Sequence, residues 1–224
     1  MAHADRTSDV NISRRRAVFA IAALHPPVVL ASSRLVLEED LVDAVRSSLS
    51  AELEREAPPK PSFEDPAERL AYDAWHARSS ERLRSYLPED EARGEFVDTV
   101  WYESRRAGLE TGLVLGLIHV ESAFRRYAIS PVGARGYMQI MPFWAQLLGA
   151  ADASKLFHVQ TNMRFGCSIL RHYLERERGN LTYALGRYNG RRDGQTYPAL
   201  VFDRRDRWPS PSPPPPPAWR PPQA

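Results

Sequence analysis

The 224-residue chain sets 30 Lys and Arg against 28 Asp and Glu, a formal net charge of +2, and is 43% hydrophobic. That apolar fraction is enough for a core. The mixed charge, with no basic stripe interleaved by aromatics, excludes the electrostatic footprint of a nucleic-acid binder. No apolar run reaches the roughly 18 residues of a membrane-spanning helix, so no transmembrane segment is expected. Cys167 is the single cysteine, which excludes an intrachain disulfide and a cysteine-based zinc site. It falls in a helical pattern and reads as a small core residue. The six histidines show no i, i+4 pair, and His158 and His172 lack acidic partners at useful offsets. No metal and no cofactor are expected.

In chain order, Arg14, Arg15 and Arg16 precede an apolar stretch from Ala17 to Ala31, with small residues at its end. Residues 1–31 therefore read as a signal peptide cleaved after Ala31, which implies export to the periplasm or cell envelope. His25-Pro26-Pro27 interrupts the apolar run, so a disordered basic arm is the plain alternative. No cysteine lies near the cut, so a bacterial lipoprotein anchor is not expected.

Residues 32–93 read as an N-terminal helical appendage. Val42, Val45, Leu49 and Leu53 recur at helical spacing until Pro58-Pro59 and Pro61 stop the helix. A second charged helix is predicted from about Pro66 to Leu87, with Leu70, Trp75 and Leu83 facing inward. Pro88-Glu89-Asp90 turns the chain into the next helix. Residues 94–208 form the main domain. Phe96, Val97, Val100 and Trp101 make one helix face, ended by Gly108. Thr111 caps the next helix, with Leu113, Val114, Leu117 and Ile118 apolar. Gly133, Gly136 and Pro142 mark a loop-rich segment. Phe165, Ile169, Leu170, Tyr173 and Leu174 give another helix closed by Gly179, and Asn180 caps a short one to about Tyr188. The class is mainly α, with at most a small β-hairpin near Gly136–Ile140. Residues 209–224, rich in proline, read as polyproline II or a disordered tail: a spacer, a docking peptide for an unknown partner protein, or a passive end.

Leu113, Leu117 and Glu121 are spaced by four, and Val114 lies seven before Glu121. The carboxyl thus falls on an apolar face near a helix C-terminus. Burial and the negative end of the helix dipole both disfavour ionisation, raising its pKa. A carboxyl protonated near neutral pH suits general-acid catalysis. A core glutamate paired with an arginine is the alternative.

Further blocks follow: Ser130-Pro131-Val132-Gly133-Ala134, Gly136-Tyr137-Met138-Gln139-Ile140-Met141, and Ala184-Leu185-Gly186-Arg187-Tyr188-Asn189-Gly190. In this order, with the Glu121-Ser122 pair, they resemble the soluble lytic transglycosylase domain, a relative of goose-type lysozyme, over roughly Phe96 to Trp208. Asn162, Gly166 and Leu170 also resemble that family.

The resemblance implies a lysozyme-like α+β domain acting on peptidoglycan. It implies Glu121 as the catalytic acid/base, Ser130 as a contact to substrate or intermediate, and Gln139 and Met141 lining the glycan groove. It further implies Tyr188 as the tyrosine that orients the carboxyl and Asn189 as a sugar contact. Tyr137 replaces the family's usual Leu, and Gly186-Arg187 its usual Ala-Ala.

Ordinary glycosidases use two carboxylates about 5–5.5 or 6.5–9.5 Å apart. The groove blocks hold one, since Asp193 reads as a surface turn. By resemblance, Glu121 cleaves the bond between N-acetylmuramic acid and N-acetylglucosamine without water, leaving 1,6-anhydromuramic ends. A lysozyme-like hydrolase, or an inactive wall-binding module, are the alternatives.

Overall fold

The computed structural model describes residues 58–147 and 153–211. The signal-peptide reading, the helix around Val42–Leu53 and the tail beyond 211 lie outside those residues. Seven helices appear among the described residues: α1 Pro66–Leu83, α2 Asp90–Arg106, α3 Thr111–Ser122, α4 Pro142–Leu147, α5 Val159–Arg176, α6 Leu181–Tyr188 and α7 Thr196–Arg205. A 3-10 turn, Ala153–Phe157, leads into α5. Antiparallel bridges pair Ile129 with Arg135 and Arg135 with Ile140, isolated contacts in place of a hairpin. None of the described helices is long and apolar enough to cross a membrane.

Helix α3 sits at the centre. Residues Thr111 to Ile118 are all buried, so the helix is enclosed all round, where the periodicity implies a single apolar face. Thr111 is its first helical residue, and the capping position falls one earlier, at Glu110. Helix α7 runs antiparallel to α3: Glu121 meets Tyr197 at one end and Glu110 meets Arg205 at the other. Gly116 makes the approach possible. A Cβ there would lie 2.6 Å from the Arg205 amide nitrogen and 2.8 Å from its Cα.

Helix α1 is no appendage. Asp65 caps it, accepting from the Ala67 N–H at 2.8 Å, with Pro66 at the first turn. Trp75 is fully buried, its ring centroid 5.2 Å from that of Trp101 on α2, and its Nε1 donates to the Pro209 carbonyl at 3.0 Å. Ser210 Oγ donates to Glu110 Oε1 at 2.7 Å. The first residues of the expected tail are thus strapped onto the domain. Leu83 is buried as expected, but Leu70 is 69% exposed, because at its place in the helix the side chain points away from α2.

Candidate active site

Glu121 stands in the last turn of α3. The chain then leaves abruptly: Ala123 and Phe124 both take left-handed backbone, at φ 48° and 60°. Such conformations cost about 1–3 kcal/mol each for non-glycine residues unless the surroundings fix them. Here an aromatic cluster does so. Phe124 is buried, with ring centroids 4.9 Å from Tyr86, 5.8 Å from Phe96 and 5.0 Å from Trp208. The Ala123 N–H closes the helix on the His119 carbonyl at 3.1 Å. The turn frees the end of the helix and leaves Glu121 intermediate in exposure.

Burial pushes the Glu121 carboxyl up to about 7, against a smaller opposing pull from the Tyr197 hydrogen bond. Tyr197 Oη donates to Glu121 Oε1. Its own ionisation is driven far upward by burial and then by the Glu121 charge, so it acts as a donor throughout the physiological range. Tyr188 is pushed the same way by the same two causes.

Tyr188 lies near Glu121, but its Oη donates to the Met138 carbonyl at 2.9 Å. The hydrogen bond expected from Tyr188 thus comes from Tyr197, because α7 crosses the end of α3 and delivers its first turn there. Tyr188 instead secures the loop that carries Gln139. That loop is fastened from a second side. The Asn162 side chain accepts from the Met138 N–H at 2.7 Å and donates to the Arg135 and Leu156 carbonyls at 2.9 and 2.7 Å. Met138 rests on Gly166, where a Cβ would come within 2.3 Å of its sulfur.

Gln139 adopts left-handed backbone, φ 51°, and its Nε2 donates to the carbonyls of Gly136 at 3.0 Å and Ala128 at 3.2 Å. Ser130 Oγ accepts from the Ala134 N–H at 3.0 Å, closing its own turn. Met141 is partly buried against the core. Asn189 is exposed at the end of α6. Tyr137 fills space in the core, 4.8 Å edge-on to Phe96. Asp193 is exposed and paired with Arg192.

Two residues carry no signal in the sequence motifs. Tyr197 lies in a segment where Pro198 and scattered charges hide the helix. Its one clue is Val201 four residues on, the position that faces Gly116. Glu103, on α2, is a fully buried carboxylate. Arg106 Nε donates to its Oε2 at 2.7 Å and Arg164 Nε to its Oε1 at 3.0 Å, and Gln160 adds a third donor. Those partners lock Glu103 into the packing of α2 against α5.

With this geometry in view, the comparisons with known proteins are specific. Residues 99–195 match the family model described as the transglycosylase SLT domain. The chain is 34% identical over 93 residues to a transglycosylase of Enterobacteria phage PRD1, covering 42% of this chain and 34% of that protein. It is 36% identical over 84 residues to the membrane-bound lytic murein transglycosylase C of Mannheimia succiniciproducens, covering 34% of this chain and 24% of the relative. An inactive mutant of the lytic transglycosylase Slt from Pseudomonas aeruginosa aligns at 26% identity with a TM-score of 0.39, over 60% of this chain and 23% of that one. The chain thus spans between 23% and 34% of the length of these relatives. The matched segment of the SLT domain includes Glu121, Ser130, Gln139, Met141, Tyr188 and Asn189, and stops two residues before Tyr197.

Proposed function

We propose that this chain cleaves the glycan strands of bacterial peptidoglycan, with Glu121 as the single acid and base. The observation that carries the reading is one carboxyl, lifted by burial to about 7, at the end of a buried helix inside the SLT segment. A group with that pKa gives and takes a proton with comparable ease at neutral pH. Glu121 first protonates the oxygen linking N-acetylmuramic acid to N-acetylglucosamine, while the substrate's N-acetyl group stabilises the oxocarbenium-like centre. The resulting carboxylate then takes the proton of the C6 hydroxyl, which attacks C1 and closes a 1,6-anhydro ring. The intramolecular attack gains from proximity. Tyr197 holds the carboxyl in place and stabilises its charged form between the steps. Ser130, Gln139, Met141, Tyr188 and Asn189 contact or frame the sugars, and the enzyme works outside the cytoplasm, in the cell envelope.

Digestion of purified peptidoglycan by the chain and by Glu121→Gln, with mass analysis of the fragments, tests this. Anhydro-ended fragments from the wild type alone are expected. Fragments one water heavier would replace the reading with a hydrolase, and binding without release would leave a wall-binding module.

A further inference from the structure

His119 lies in the last turn of α3, just before Glu121, and the cleavage chemistry makes no use of it. Its ring packs among the aromatics that hold the left-handed turn. The ring centroid lies 5.4 Å from that of Tyr86, 5.3 Å from Phe124 and 6.0 Å from Trp208, the last edge-on at 66°. Trp208 in turn lies 5.0 Å from Phe124. Two ring nitrogens in this group are buried without a hydrogen-bond partner among the described residues: Nδ1 of His119 and Nε1 of Trp208. An unpaired buried polar atom forfeits its hydration with nothing in return. An indole nitrogen can only donate, and a neutral imidazole offers one accepting nitrogen. The two orphans are therefore complementary while His119 is neutral. A second proton on the imidazole turns Nδ1 into a donor and leaves two donors with no acceptor between them.

We propose that His119 is a positioning residue for Glu121: while neutral it shares a hydrogen bond with the Trp208 indole, directly or through one water, and so holds the turn that ends α3, and a proton on it loosens that turn. The link to catalysis rests on the glycan-cleavage reading; the pairing does not. The charges that act on His119 come from α7 and the residues just past it. Arg204 and Arg207 oppose a proton there, and Asp203 favours one. Asp203 is already committed: its two oxygens take Arg207 at 2.8 and 2.7 Å, and one takes Arg204 at 2.8 Å. Tyr86 is the titratable side chain packed against the ring from the segment between α1 and α2. Glu121 shares the helix, but residues two apart do not face each other. The C-terminal end of α3 favours a cation. Burial first, and then the two arginines, nevertheless hold the imidazole below its ordinary 6.5. Folding thus favours the neutral ring, a contribution present above 6.5 and lost as pH falls through the lower folded value. Glu121 begins the cycle protonated, so its own titration gives no loss on acidification. An acid limb in the activity would therefore belong to His119.

The test follows the Trp208 indole N–H by nuclear magnetic resonance in the whole chain, from about pH 8 to about pH 5, across the histidine range. Trp208→Phe assigns the signal by its absence. The wild-type signal should shift with a midpoint below 6.5. His119→Asn keeps an acceptor near the Nδ1 position and cannot titrate, so it should remove the shift. In parallel, the initial rate of glycan release by the wild type should fall about two- to tenfold on the acid side, the worth of one hydrogen bond. His119→Asn should flatten that limb. An indole signal blind to pH, a shift that persists in His119→Asn, or an acid limb that is absent from the wild type or survives the substitution overturns the proposal. The indole titration of the wild type stands even if a variant folds poorly. Because that readout needs no cleavage, a flat indole signal leaves the cleavage reading intact. A titrating indole with no glycan release at any pH would sink the cleavage reading and leave the pairing standing.

Discussion

Two glutamates lie on neighbouring helices and have opposite surroundings. Glu103 is met by two arginines and a glutamine in the packing of α2 against α5. Glu121 has one phenol, and burial leaves its carboxyl at about 7. A buried carboxylate is affordable when cations compensate it and reactive when they do not. The lesson is that burial alone does not mark a site. The decisive feature is the missing cation, and a motif match without the side-chain surroundings cannot supply it.

The sharpest way to break that contrast is to remove each carboxylate in turn. Glu121→Gln should lower release of soluble glycan fragments about 10²–10⁴-fold with the fold intact, as circular dichroism would register. Glu103→Gln should do the reverse: it leaves two arginines short of a buried partner and should cost about 3–5 kcal/mol in denaturant unfolding. Loss of stability on Glu121→Gln, or its absence on Glu103→Gln, would refute the comparison.

The pH dependence separates them further. The folded-state pKa of Glu121 lies above its unfolded value of 4.5. The protonated form is therefore favoured by folding. Its contribution is complete below about 4.5 and disappears as pH rises through 7. Relative to wild type, Glu121→Gln should gain about 2–4 kcal/mol between pH 4.5 and 8, read from paired melts. Activity, in turn, should fall on the alkaline side of about 7. A smaller effect follows from Gly116→Ala. Its methyl would strike the Arg205 backbone, and overpacking of this kind costs about 1–3 kcal/mol. Activity should drop more than stability, because α7 carries Tyr197. Smallest is Tyr197→Phe. Removing a hydrogen bond that lowers the Glu121 pKa should move the alkaline limb of kcat/KM upward by about one pH unit.

Much of this was legible in the sequence. The helices built on Phe96–Trp101, Leu113–Ile118 and Phe165–Leu174, the Asn180 cap and the suspicion attached to Glu121 follow from spacing and capping rules, whereas α4 and α7 were not read from the sequence. The surroundings of Glu121 were less so. Tyr197 comes from a helix that carries Pro198 in its first turn, a place where a helix tolerates proline, and whose apolar spacing is weak. The Arg–Glu network of Glu103 joins residues 57 and 61 apart in sequence, beyond any local pattern. Helix α1 looked peripheral because charged residues dominate it, while Trp75, Leu83 and the Tyr72 hydroxyl bound to Asp98 dock it.

The left-handed turn at Ala123 and Phe124 bears on how this chain can change over generations. Tyr86, Phe96 and Trp208 hold that turn through Phe124, which follows the end of the helix bearing Glu121. Each is answerable for where the end of α3 points. Drift at any one of them would be tolerated by the core sooner than by catalysis. Compensating exchanges should therefore appear within this aromatic group, as linked substitutions in places that look purely structural.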